Sequence, residues 1–357
     1  MFKHPPGTNT LKPKSLKEAF GISLQEAVLQ HTQAKQRESR LDKLGQLVTP
    51  LISNTLEKRA KTKHFGTKMA IGLANLVSPL QKGYWATYHC AEVIKIDGQK
   101  ATSKYCDRRW CPTCSRIRTG KMLNRFIPVF ETEFKDPYLV TLTSPNVKGI
   151  YLKSDVDYYL KTFGNLVRTI KQGLKRKGQK AQDFKAVKKL EITWNNRTDT
   201  YHPHLHILVN SKTLAEEIRR LWLRSNPDAV LSAQDIRQAD QGSLKELFKY
   251  ITKLTYNDPI SGKKVLYPNK VLDTIFQSIH RRRTFESYNI PDVINEEDKI
   301  PSEETLEDIK PQEPKIYIYE TEPYWNWYEM DTGQPLTTYQ DQKEIDEIFF
   351  RRKLLSG

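Results

Sequence analysis

From residue 137 onward, short segments of period two alternate with longer stripes of period 3.6. Leu139-Val140-Thr141-Leu142-Thr143 follows Pro137-Tyr138, is apolar and β-branched, and stops at Ser144-Pro145-Asn146, which predicts a strand. Ser154 and Asp157 then have capping-box spacing, and Tyr158, Phe163, Leu166, Val167, Ile170 and Leu174 recur as one helical stripe. Lys189-Leu190-Glu191-Ile192-Thr193-Trp194 and the stretch from Tyr201 to Val209 predict two strands, joined as a hairpin by the polar residues 195–200. Helices over Leu214–Leu223, Ser243–Tyr256 and Val271–Arg282 and a strand near Val230–Arg237 complete the pattern. Strands interleaved with helices and joined partly by hairpins predict an α+β fold, with an antiparallel sheet carrying helices on one face.

Upstream the pattern changes. Residues 1–80 are basic, contain no cysteine or tyrosine, and show helix-like apolar spacing at Leu24, Ala27, Val28 and at Leu41, Leu44, Leu47. Residues 81–135 hold all four cysteines, Cys90, Cys106, Cys111 and Cys114. Four thiols within 25 residues of an intracellular chain point to a closed tetrahedral zinc site rather than to disulfides. His89 is an alternative to Cys90 as the first ligand, and two reduced structural pairs are the alternative to zinc. Residues 136–290 form the α+β core, 291–315 an acidic linker, and 316–357 an aromatic-rich tail that folds back or binds a partner.

Within the core, alternation puts His204 and His206 on one face of their strand, and the hairpin can bring the Glu191 carboxylate beside them. Two imidazoles and a carboxylate form a metal set with positions open for substrate. His202 shares the phase and is an alternative third ligand, or a fourth member. In the helix beginning at Ser243, Glu246, Tyr250 and Lys253 fall on one side within two turns. A phenol of pKa about 10 is a poor nucleophile near neutrality unless a cation stabilises the phenolate, and Lys253 is placed to do so. The plainer alternative is an amphipathic helix with an ordinary ion pair.

Net charge narrows the partners. The chain carries +16, but residues 291–357 hold 17 acidic and 7 basic residues against 25 and 51 in the preceding 290. A body of +26 with an acidic tail is the footprint of a phosphate-backbone binder. Arg108, Arg109, Arg116 and Arg118 around the cysteines suit contact with DNA. No apolar run approaches the ~20 residues needed to span a bilayer, and no signal-type segment opens the chain, so the expected location is cytoplasmic.

The strand 139–143 with Asn146, the block Glu191…His202-Pro203-His204-Leu205-His206, and Glu246…Lys249-Tyr250-Ile251-Thr252-Lys253 resemble, in order, three motifs of plasmid rolling-circle replication initiators of the HUH endonuclease superfamily. The upstream Cys106…Arg109-Trp110-Cys111-Pro112…Cys114 is similar to the cysteine-rich segment of one branch of these initiators. The resemblance covers roughly residues 84–285. It implies an RRM-like, ferredoxin-like sheet with the histidine strand central and metal-dependent transesterification of single-stranded or hairpin origin DNA. It also implies His204, His206 and Glu191 as Mg²⁺ or Mn²⁺ ligands, Tyr250 as nucleophile and Glu246 as the carboxylate that closes the cycle. The product would be a 5′-phosphotyrosyl link and a 3′-hydroxyl primer, with a host helicase and DNA polymerase as partners and a homodimer as one assembly. Trp194 and Trp222 are candidate base-stacking surfaces. A relaxase fits less well, since its tyrosine precedes the histidines and no tyrosine here precedes Tyr84. A transposase leaves the cysteine block unexplained, and a non-catalytic zinc-containing DNA-binding protein leaves the histidine hairpin and Tyr250 without a role.

Overall fold

The computed structural model describes residues 54–339 apart from 135, 240–242, 244–246, 248–253, 259–261, 291–299, 301 and 307–310. The spacing at Leu24–Leu47, the tail beyond 339, and Glu246, Tyr250 and Lys253 lie outside the described residues.

Two five-stranded antiparallel sheets organise the chain. Helices α1 (Asn54–Ala74) and α2 (Gln81–Tyr88) lead into β1 (Val93–Gly98) and β2 (Lys100–Ser103), and α3 (Pro112–Glu133) connects this region to the core. The core then runs β3 (Tyr138–Thr143), α4 (Gly149–Arg176), β4 (Ala186–Asn195), β5 (Thr200–Val209), α5 (Lys212–Ser225) and β6 (Asp235–Gln238). A small hairpin of β7 (Thr255–Asn257) and β8 (Lys264–Leu266), helix α6 (Asn269–Ile279) and β9 (Phe285–Tyr288) complete it. The core sheet has the order β6-β3-β5-β4-β9, so the histidine strand β5 is its centre.

The α+β expectation holds, but helices cover both faces of the sheet. Odd-numbered β5 residues Tyr201, Leu205, Ile207 and Val209 share a core with Val156, Phe163 and Val167 of α4, Ile218 and Trp222 of α5, and Ile275 and Phe276 of α6. On the opposite face Leu208, Val187 and Leu139 meet Met122, Phe126 and Phe130 of α3 and Phe134 at its C-cap. Those phenylalanines recur every four residues and form one ridge. Burying each contributes roughly 2–3 kcal/mol, enough to hold α3 across the sheet. The ridge reaches Leu208, and the histidines continue along the same face beyond it.

Helix α4 begins five residues before the predicted capping box. Ser154 lies inside it, its hydroxyl donating to the Tyr151 carbonyl, and Lys148 occupies the cap position. The reason is a tertiary contact: Val147 pairs with Tyr201 through two backbone hydrogen bonds, which brings the chain onto β5. A Cβ on Gly149 would sit 3.1 Å from the Tyr201 ring, so glycine permits this approach.

The second sheet has the order β10-β2-β1-β11-β12, with β10 (Glu303–Thr305), β11 (Gln312–Glu320) and β12 (Asn326–Glu329). Residues 303–305 and 312–315, in the span read as a linker, are therefore strand, and the aromatic segment after it folds back onto β1. Tyr317, Tyr319, Trp325 and Trp327 bury themselves with Ile94, Ile96, Leu56, Ala60 and three cysteines. Acidic residues on exposed positions disguised this alternation in the composition.

Candidate functional site

The β4–β5 hairpin sets the first site. Its register pairs Glu191 with His204, Lys189 with His206 and Thr193 with His202. Turn residue Asp199 adopts φ 48°, a left-handed conformation that Asp tolerates and that lets the polar loop close. Glu191 Oε1 lies 4.0 Å from His204 Nε2, and its Oε2 lies 3.8 Å from His206 Nε2. One donor atom from each of the three residues falls within 4.8 Å of the others. These separations exceed a hydrogen bond but suit atoms that share one ion at about 2.1 Å, which sit roughly 3–4 Å apart.

Neighbours orient both rings. Thr141, opposite His206 on β3, places its hydroxyl 3.2 Å from His206 Nδ1. His204 Nδ1 lies 3.2 Å from the His202 carbonyl. Each imidazole therefore spends Nδ1 on the protein and turns Nε2 toward Glu191, the arrangement that fixes a metal-binding tautomer. Burial, followed by repulsion from His204, pulls His206 down to about 4, against an opposing pull from Glu191. A neutral imidazole with an available lone pair is the form a cation requires. Lys189 Nζ stands 3.5 Å from Glu191 Oε2, the oxygen that also faces His206.

The structure brings Glu191, His204 and His206 together and leaves His202 outside this set, opposite Thr193 with its ring 5.3 Å from that of His204. Ser243 and Leu247 of the tyrosine segment are described, both helical. Leu247, three residues before Tyr250, is buried with Leu208 and Val187 on the histidine-bearing face. Trp222 cannot stack on a base: it is fully buried and its indole N–H donates to the Thr143 carbonyl at 3.0 Å. Trp194 is half-buried, edge-on to Tyr256 and Tyr267. Thr141 and Lys189 were legible only as strand residues, yet both touch the site; their signal was the period-two phase they share with Glu191 and the histidines.

The four cysteines form a second cluster. Cys114 Sγ is 3.4 Å from Cys90 Sγ and 3.6 Å from Cys106 Sγ, and all four sulfurs lie within 4.8 Å of one another. Tetrahedral zinc with bonds of about 2.3 Å separates its sulfurs by roughly 3.8 Å, so the donor set fits that ion. Cys111 occupies the N-cap position of α3, just before Pro112 in its first turn, and the Cys106 N–H donates to Cys90 Sγ at 3.5 Å. Burial, then the neighbouring thiols, pushes Cys111 up; Cys106 also feels burial, but hydrogen bonds from the other thiols and the Arg108 N–H hold it well below the thiol range. His89 does not replace Cys90, because its ring bonds Glu92 at 2.9 Å. Lys63, almost fully buried, donates to the Tyr88 carbonyl at 2.6 Å, and Cys90, Glu92, Cys111 and Cys106 counter the downward pull of burial on its ammonium. Four thiolates around one divalent ion would leave a net charge of −2, half of which one ammonium offsets.

The fold is α+β, and its two donor clusters are both compatible with a metal ion, one of them on the central hairpin of the core sheet. A family model described as replication protein matches residues 98–333, more than half of the chain. The chain belongs to this replication protein family and is a plasmid replication initiator. It is 30% identical to the protein rep of Staphylococcus aureus over 167 residues, covering 42% of this chain and 69% of that protein. A protein rep from Bacillus sp is 30% identical over 220 residues (50% and 68%), and one from Bacillus amyloliquefaciens 30% over 227 residues (52% and 63%). No solved structure gives a significant match.

Proposed function

We propose that the chain nicks and rejoins a single DNA strand at a plasmid origin, as an HUH-type initiator of rolling-circle replication. The observation that carries this reading is the aim of His204 and His206 Nε2 at the two oxygens of Glu191 on a central strand. The succession β3-α4-β4-β5-α5-β6 and the strand order β6-β3-β5-β4 support a ferredoxin-like core with one added edge strand, β9. Burial of Leu247 on the histidine face supports Tyr250 as the group that meets the phosphate there.

When bound by these three side chains, Mg²⁺ or Mn²⁺ supplies Lewis-acid polarisation of a phosphate oxygen. The Tyr250 Oη attacks phosphorus in line, the bond from phosphorus to the 3′-oxygen breaks, and the phenol proton passes to the departing oxygen. The strand is left with a 5′-phosphotyrosyl link and a 3′-hydroxyl for a host polymerase, behind a host helicase. Lys253 stabilises the phenolate, and Glu246 acts as general base on the water that ends the cycle. The cysteine cluster holds structural zinc. Such work on plasmid DNA places the protein in the cytoplasm; among the described residues no helix is long and apolar enough to cross a membrane.

Incubation with supercoiled DNA carrying the cognate origin and Mn²⁺ tests the reading. Nicked circles bearing covalently attached protein, absent with EDTA, are expected. Reversible DNA binding without nicking would overturn the enzymatic reading in favour of an origin-binding protein.

A further inference from the structure

A cationic feature lies outside the cluster of Glu191, His204 and His206. The loop before α3 and the turn after α6 enclose a cavity of about 180 Å³ lined by Asp107, Arg108, Arg109, Trp110, His280 and Arg281, with Ile279 behind them. It is smaller than the roughly 300 Å³ that a drug-sized ligand takes, so it suits one small group. Its back wall is rigid: Trp110 is buried, stacks on Phe276 with centroids 5.4 Å apart, and donates its indole N–H to Thr87.

The charges in this cavity are unevenly satisfied. Arg282 is committed to Asp157 through two hydrogen bonds of 2.6 and 2.7 Å, and Arg109 donates to the Arg282 carbonyl. The carboxylate of Asp107 accepts the Ile300 N–H at 2.8 Å. Arg118, another arginine of the cysteine block, is buried and bonds the Asp107 carbonyl, which removes it from contact with DNA. Arg108 and Arg281 are exposed, and among the described residues no acidic side chain pairs with either. Burial first, then Arg281, Arg108, Arg109 and Arg282, push His280 below its ordinary range, which reports the positive potential inside the cavity. Arg281 holds a left-handed φ of 56°, a conformation that surrounding structure must impose.

The place of this cavity gives the anion an identity. Leu190 N–H donates to the Thr284 carbonyl at 2.7 Å, so the turn carrying Arg281 reaches the β4 edge one residue from Glu191. Trp110 and Ile279 belong to the core on the face of the sheet opposite the histidines, so a strand whose phosphate lies at Glu191 and the histidines reaches Arg108 and Arg281 by passing around this edge. We propose that Arg108 and Arg281 form a backbone-phosphate subsite, occupied by the DNA strand beside the phosphate that is cut. This inference rests on the nicking function proposed above and adds where the uncut part of the strand is held.

The test measures binding of a mixed-sequence single-stranded oligonucleotide by fluorescence anisotropy across a salt series. Compared are the parent, Arg108→Ala with Arg281→Ala, the same pair changed to Lys, and Lys212→Ala with Arg224→Ala on α5 as a control. One neutralised phosphate contributes about 0.7 to the slope of log K against log salt for single strands. The alanine pair should lose about that much slope and bind more weakly, independent of sequence; the lysine pair should keep the slope, and the control should match the parent. Parent-like slope and affinity in the alanine pair overturn the subsite. So does an equal loss in the lysine pair, which would mark a structural role, or an equal loss in the control. A parent protein that binds the oligonucleotide but never nicks origin DNA would instead sink the enzymatic reading, while leaving the slope comparison valid.

Discussion

At the scale of single residues, the candidate site depends on the side chains that orient its proposed ligands as much as on those ligands. Thr141 touches His206 Nδ1 and nothing in the proposed reaction. Outer contacts of this kind alter metal affinity by about 10- to 100-fold when removed. Thr141→Val, nearly isosteric, should therefore raise the Mn²⁺ concentration needed for half-maximal nicking by about tenfold, while saturating metal restores the rate. An unchanged metal requirement would show that the ring is oriented by its packing alone. The clustering of these side chains was legible, because strand alternation puts His204 and His206 on one face and the polar turn puts Glu191 opposite. Residue type said less at Trp222 and Arg118: both suit nucleic acid chemically, but a neighbouring carbonyl and core packing claim them.

At the scale of elements, the cysteine cluster and helix α3 form one device. Helix α3 starts at Cys111 and Cys114, and its phenylalanine ridge ends against the histidine-bearing face. Metal analysis of chelator-free protein should show about one zinc per chain. Cys111→Ser with Cys114→Ser should abolish it and lower the thermal midpoint, because binding energy at a structural zinc site is folding energy. A fully folded parent without zinc would remove the metal from the account. Helix α1 docks on the second sheet through His64, which stacks on Trp325 at 4.1 Å and bonds the Tyr339 hydroxyl at 3.1 Å. Burial, with Lys68 a smaller cause, pulls His64 down to about 3. Above pH 6.5 the ring is neutral folded or unfolded and titration contributes nothing. Below it only the unfolded chain takes the proton, so stability falls progressively toward pH 3, by on the order of a few kcal/mol. His64→Phe keeps the stack and should flatten this part of the melting profile; an equally steep acid loss would place the titration elsewhere. Element types over much of the core could be read from local periodicity, but Thr255 and Tyr256, read as the end of a helix, belong to strand β7, and β8 and β9 went unread. The pairing of β11 with β1 could not be read this way, since it joins residues more than 200 positions apart and no local pattern names a partner strand. The start of α4 was hidden for the same reason, being set by Val147 on Tyr201.

For the whole molecule, the division of labour follows the charge. A basic body carries the sheet, the metal hairpin and the arginine cavity, while acidic residues concentrate after residue 290. The second sheet ties the two regions together, as β10 and β11 flank the strands that lead into the cysteine cluster. What unites these parts in the proposed function is a tyrosine that ends up bonded to DNA at the Glu191, His204 and His206 hairpin. Mass spectrometry of the protease-digested covalent complex, formed with Mn²⁺ and an oligonucleotide spanning the nick, measures that bond directly. The account predicts a nucleotide-bearing peptide that contains Tyr250, absent from Tyr250→Phe and from His204→Ala with His206→Ala. Linkage to another residue, or the same adduct in the double histidine variant, would contradict it.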